Sequence, residues 1–190
     1  IKEVNPDLLG LQECLIEQAE YIAEKLPDYR WTGIGREKKG AGEMTAVFYR
    51  RGTITPLDIH HFWLSETPEI PASKSWDTNQ TRMATQIRFF HSDTQRTFLY
   101  VNTHLDHRGE EARQKGIQVI NDQINTENTA LPAILTGDFN AFAQKSKAYE
   151  IAISNGFKDS WIEAPQKKGP IMTFGDFKAP VDGQDERIDW

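Results

Sequence analysis

Asp138 and Asn140 stand two residues apart in Leu135-Thr136-Gly137-Asp138-Phe139-Asn140, directly after the apolar run Ala133-Ile134-Leu135. On extended backbone their side chains leave the same face. A carboxylate and a carboxamide aimed together from a strand's end can hold a water, a metal ion or a phosphoryl oxygen. Gly-Asp-x-Asn is also ordinary turn chemistry, so partners must decide. Three further runs supply them. Pro6-Asp7-Leu8-Leu9-Gly10-Leu11-Gln12-Glu13 is a short apolar strand ending on a carboxylate. Phe98 to His107 runs from a strand into a histidine-bearing tip at His104-Leu105-Asp106-His107, and Arg187-Ile188-Asp189-Trp190 closes the chain. Any one of these acids could simply cap a following helix. Four strand-like runs finishing on Glu, His, Asp or Asn point instead to one site at a common sheet edge.

The elements that must position these groups follow from periodicity. After the Leu8 to Glu13 strand, Leu15, Ala19, Ile22, Ala23 and Leu26 recur at helical spacing until Pro27. Tyr29 to Ile34 and Met44 to Tyr49 read as strands, with Glu43 at the head of the second. Ile54 to Leu64 contains another strand or two. Ser65 to Thr81 is a long polar excursion with Pro68 and Pro71, and such loops are usually functional or mobile. Arg82 to Phe90 and Thr97 to Asn102 form a hairpin around His91-Ser92-Asp93. Gly109 to Asn125 carries Ala112, Gly116, Ile117, Ile120 and Ile124 on one helical face. Lys145 to Asn155 is a helix closed by Gly156, and Lys158 to Lys178 is loop-rich. Strands and helices mixed in this order indicate an α/β or α+β sandwich with a mixed sheet.

The totals narrow the class of function. The 190 residues suit one sizeable core and one domain, 1–190. A formal net charge of −6 argues against a protein that coats duplex DNA through a basic face, though not against a metal-neutralised phosphodiester. No apolar stretch approaches a membrane span, and no signal-peptide pattern opens the sequence. Cys14 is the only cysteine, which precludes an intrachain disulfide and leaves the compartment undecided. Core packing is the expectation for it. Ile1 and Trp190 both lie inside apparent elements, so we expect the terminal strands of a longer protein to be missing. Without them the 190 residues alone should be poorly soluble or inactive.

Taken in order, Leu11-Gln12-Glu13, Asn102-Thr103-His104, Gly137-Asp138-Phe139-Asn140 and Arg187-Ile188-Asp189 resemble the motifs of the endonuclease/exonuclease/phosphatase superfamily. Its members include deoxyribonucleases, abasic-site endonucleases, deadenylases, neutral sphingomyelinases and inositol polyphosphate 5-phosphatases. Phe62-Trp63-Leu64-Ser65-Glu66-Thr67-Pro68 with Ser75-Trp76-Asp77 looks like a bacterial-type branch. The resemblance implies a four-layer sandwich, two mixed β-sheets face to face with helices outside, and divalent-metal-dependent phosphoester hydrolysis. Within it, Glu13 matches the metal-binding glutamate and Asp138 the aspartate that orients or deprotonates the attacking water. Asn140 matches the phosphate-binding asparagine. His104 matches a histidine facing the phosphate, Glu43 the acid that orients it, and Arg82 a phosphate-contacting arginine. Asp189 matches the aspartate that orients a second histidine, which belongs to a Ser-Asp-His motif not present in these residues. The first strand of the family, ending on a metal-site asparagine, is likewise missing.

These residue types suit the chemistry. A phosphoester repels nucleophiles through its own charge, so catalysis is mainly positioning and neutralisation. Magnesium, or manganese, suits a site of few carboxylates and several waters. An acid beside His104 would fix its ring and favour its charged form. The substrate is then a phosphoester of unassigned class, nucleic acid, lipid or sugar phosphate, and we expect a monomer. A non-catalytic binding module on the same fold is the alternative. A zinc enzyme is disfavoured, since no His pair at helical spacing and no Cys set occurs.

Other groups carry less. His60 and His61 face opposite ways on a strand, and a plain surface role is expected for both. Asp106 and His107 either line the cleft or close the loop before Arg108-Gly109. Trp63 and Trp76 either stack a base or sugar or pack in the core. Lys38-Lys39 and Lys167-Lys168 are solvated loop charges. Thr173-Phe174 resembles a loop near the family's site.

Overall fold

In a computed structural model, residues 1–126, 131–175, 178–179, 181 and 186–190 are described. The strands are β1 (Leu8–Gly10), β2 (Tyr29–Thr32), β3 (Val47–Arg50), β4 (Ile54–Trp63), β5 (Met83–His91), β6 (Arg96–His104) and β7 (Ala133–Asp138). The helices are α1 (Ile16–Lys25), α2 (Glu110–Thr126), α3 (Lys147–Ser154) and the short α4 (Ser160–Glu163). Two sheets result, one of order β1-β3-β2 and one of order β4-β5-β6-β7. The first is antiparallel among the described residues. The second is mixed, because β6 and β7 run parallel after the α2 crossover.

Alternation along the strands stacks these elements into four layers. Val47 and Tyr49 of β3 meet Ile87 and Phe89 of β5 and Tyr100 of β6 between the sheets. Ala46 and Phe48 point the other way, onto Ala19 and Leu26 of the α1 segment. On the opposite side Ala84 and Val101 pack with Ile117 and Ile120 of α2 and Ala148 and Ala152 of α3. Helix, sheet, sheet and helices is therefore the order that buries these three apolar clusters.

Several boundaries differ from the sequence reading. The strand expected over Leu8 to Glu13 stops at Gly10, and Glu13 has φ 55°, so a turn rather than a strand presents its carboxylate. Ile54 to Leu64 holds one strand, β4, with an irregularity between Pro56 and Asp58. Proline is tolerated there because β4 is an edge strand. His61 is half-buried, bonded to Thr85 at 3.1 Å and pushed down to about 4 by burial and by His60, so it is not a plain surface residue. His60 does face outward, 3.1 Å from Glu69. Trp63 is buried, its Nε1 donating to the Arg36 carbonyl at 2.7 Å, so packing explains it. The 65–81 excursion is tied down by its own serines, with Ser65 and Ser73 hydroxyls 2.6 Å apart and Ser75 accepting from the Glu66 amide. Of the loop-rich stretch 158–178, residues 176 and 177 lie outside the described residues.

Asn102 helps to fasten the two sheets, as does the Thr45–Thr85 hydroxyl pair at 3.0 Å. Asn102 of β6 is fully buried and donates to the Leu11 and Ala46 carbonyls at 2.9 and 3.2 Å. Its oxygen accepts from Gln12 at 2.7 Å. The turn that carries Glu13 is thus hung from the facing sheet.

Candidate active site

The four-stranded sheet delivers its chemical groups to one edge. In the parallel register His104 of β6 is the partner of Asp138 of β7, and Arg82 precedes Met83 at the start of β5. Parallel strands approach this closely at Gly137, where a Cβ would sit 2.3 Å from the Thr103 carbonyl oxygen. From the three-stranded sheet come Glu13, after β1, and Glu43, before β3. Candidate ligand atoms of Glu13, Glu43 and His104 lie within 4.8 Å of one another. His104 Nε2 lies 3.5 Å from Asp138 Oδ2 and 3.0 Å from Asn140 Nδ2. Asp189 bridges Asp138 through the backbone, and its own amide and that of Ile188 donate to Thr173 Oγ1. All seven residues singled out from the sequence thus converge on one edge.

Two of them get there by a different route. Asp138 and Asn140 do not share the face of a continuing strand, since β7 ends at Asp138 and Asn140 has φ 46°. The Asn140 amide donates to Asp138 Oδ1 at 2.9 Å, so the motif is a turn as well as a site. Glu43, expected to orient His104, is instead paired with Arg36 at 2.7 Å and stands among the metal-ligand candidates.

The electrostatics correct a second expectation. Burial, then the charges of Arg82, Arg36 and His107, push His104 down to about 3, so the imidazole is neutral rather than held charged by an acid. An amide donor facing Nε2 fits that state, with the ring proton on Nδ1. Burial pushes Asp138 up to about 6, with Asp189 and Glu13 adding and the Asn140 amide and Arg82 opposing. Asp189 is raised as well, chiefly by burial. A carboxylate kept in an unfavourable charged state beside other acids is the setting a cation relieves. The carboxylate oxygens of Glu13 and Glu43 are donors that suit a divalent ion.

Arg82 is buried, and its Nε and Nη1 have no hydrogen-bond partner. Its Nε lies 3.8 Å from Asp106 Oδ2, and its Nη2 is 3.3 Å from His107 Nδ1. Buried polar groups are normally paired, so a guanidinium with two unpaired nitrogens stands out among the described residues.

Arg36 and Asp106 are the site-edge residues that the sequence reading passed over or undervalued. Arg36 sits in a loop with no apolar pattern, and only its contact with Glu43 reveals it. Asp106 is almost fully buried at the tip after β6, where a carboxylate next to a histidine gave a visible but ambiguous signal.

A profile of the endonuclease/exonuclease/phosphatase family matches residues 1–177. A solved structure described as the endonuclease/exonuclease/phosphatase from Bacteroides vulgatus is 38% identical, covers 100% of this chain and 73% of its own, and superposes with a TM-score of 0.92. A mannosyl-6-phosphatase of Bacteroides thetaiotaomicron is 34% identical over 99% of this chain and 71% of its own, with a TM-score of 0.87. TDP2 of D. rerio in complex with a single-stranded DNA product shares the fold at 16% identity and a TM-score of 0.71. No curated protein matches the chain. No helix among the described residues is long and apolar enough to cross a membrane. Motif order, layered sheets and these matches agree: the chain belongs to the endonuclease/exonuclease/phosphatase family of metal-dependent phosphohydrolases.

Proposed function

We propose that the protein hydrolyses a phosphoester with Mg2+ or Mn2+, and that its substrate is a sugar phosphate rather than nucleic acid. The observation that carries the reading is the position of His104, which touches Asp138 and Asn140 and belongs to the cluster with Glu13 and Glu43. One phosphoryl group could therefore meet all five. In this reading Glu13 would hold the cation with Glu43 as the further donor beside it, while His104, whose Nε2 accepts from Asn140, fixes that amide next to them. When bound, the cation supplies positive charge to the phosphoryl and leaving oxygens. Asp138 takes the proton of the attacking water, and the raised carboxyl is suited to that task near neutral pH. Asn140 and Arg82 hold the phosphoryl oxygens, one without charge and one with it. Asp189 stands behind Asp138 and keeps its proton affinity high.

The sugar-phosphate assignment is supported by the negative balance of the chain and by its 34% identity to a mannosyl-6-phosphatase. The test is a panel of hexose phosphates, nucleotides, single-stranded DNA and a phosphocholine lipid. Each is incubated with the full-length protein in Mg2+, Mn2+ or EDTA. Metal-dependent phosphate release, fastest from a hexose phosphate, is expected. Faster cleavage of DNA or lipid would overturn the substrate, and metal-independent or absent release would overturn the reaction.

A further inference from the structure

Asp106 lies just past His104, and both of its oxygens are occupied. Oδ2 accepts from the Thr78 hydroxyl and from the Asn79 and Gln80 amides at 3.1, 3.0 and 2.9 Å. Oδ1 accepts from the Arg108 and Gly109 amides at 2.9 and 2.7 Å. Arg82 Nε stands 3.8 Å from Oδ2. The carboxylate therefore ties the end of the 65–81 loop to the turn that opens α2 and stands beside the guanidinium. The same loop has a second tie to α2, where Asp77 accepts from the Ala112 and Glu111 amides at 2.7 and 3.3 Å. Among the described residues no hydrogen bond or ion pair joins Asp77 to Arg82, so loop anchoring and arginine placement are separable.

We infer that Asp106 is a positioning residue that sets Arg82 for the substrate phosphate and fixes residues 78–80 against it as one unit. This rests on the reading of Arg82 as a phosphate contact. Five donors converge on its two oxygens, so the carboxylate is held in one place and orientation. It stands 3.8 Å from a guanidinium whose Nε and Nη1 lack hydrogen-bond partners. An anion at those nitrogens meets a side chain already aimed, so less order must be imposed on binding.

Asparagine cannot substitute, because whichever oxygen becomes an amide nitrogen meets donors only. In the full-length protein, Asp106→Asn should raise KM for the best phosphoester and weaken inorganic phosphate binding by about tenfold or more, with kcat and the Mg2+ requirement changed far less. Asp77→Asn should lower the melting temperature and leave KM unchanged. Adding Asp106→Asn to Arg82→Ala should raise KM no further, since the first acts through the second. Equal KM in wild type and Asp106→Asn, or fully additive effects with Arg82→Ala, would overturn the inference. Should Asp106→Asn fail to fold, Thr78→Val removes one donor to Oδ2 and should raise KM by about threefold; an unchanged KM would overturn it. If Arg82→Ala itself binds phosphate normally, the reading of Arg82 fails first, and calorimetry with inorganic phosphate shows this without turnover.

Discussion

Asp138→Asn should make the metal-free protein more stable while nearly abolishing its activity. The carboxyl is raised to about 6 in the folded chain, first by burial and then by Asp189, so near neutral pH it is ionised against its surroundings. A folded-state value raised above the unfolded one contributes stability that is full below about pH 4 and lost as pH rises through about 6. The side chain is partly open to water, and screening reduces the cost of ionising it to about 1 kcal/mol. Asparagine keeps an oxygen for the Asn140 amide and removes the charge. In EDTA at about pH 7.5, the melting temperature should rise by about 2–4 °C, with the gain disappearing near pH 4.5. With magnesium and the best substrate, kcat should fall by about 10²-fold or more, because the base is gone while the shape remains. Differential scanning calorimetry and steady-state phosphate release read the two effects separately. Near-normal turnover would remove Asp138 from the chemistry. A lower melting temperature in EDTA at neutral pH would refute the electrostatics.

The remaining expectations concern metal and architecture. Glu13→Gln and Glu43→Gln should each raise the magnesium concentration needed for half-maximal rate by about tenfold, with excess metal restoring part of the loss; titration checks it, and a rate insensitive to metal sinks the assignment. Gly137→Ala places a methyl 2.3 Å from the Thr103 carbonyl and should cost about 3 kcal/mol by denaturant melts, unless the parallel pair shifts with little penalty. Asn102→Ala strands the Leu11 and Ala46 carbonyls and Gln12, and should cost about 3 kcal/mol by the same melts together with a weakened response to magnesium. An Asn102→Ala protein of unchanged metal response would mean that the Glu13 turn holds its own shape.

What could be read from the sequence was whatever has a period or a fixed order. The α2 face of Ala112, Gly116, Ile117, Ile120 and Ile124 and the β5–β6 hairpin follow from spacing, and the structure has both. Glu13, His104, Asp138 and Asn140 were visible because each ends an apolar run. Their approach was not visible, since Glu13 and Asn140 turn through positive φ and lie where no periodicity applies. The neutral state of His104 could not be read either, because burial and the charges of Arg36, Arg82 and His107 are tertiary quantities. Arg36 and Glu43 are an ion pair seven residues apart across a loop, and a sequence shows such a pair only as two charges.

The division of the site between two sheets bears on how the molecule folds. Glu13 and Glu43 flank strands of one sheet, while Arg82, His104 and Asp138 end or flank strands of the other. Each sheet can form its hydrogen-bond ladder before the faces between them close over Val47, Ile87 and Tyr100. A chain caught at that stage would show native-like backbone signals and bind a divalent ion weakly, since the donors still stand apart. If the cluster holds a cation as proposed, the return of metal affinity during refolding should time the meeting of the two faces in this topology of distant contacts.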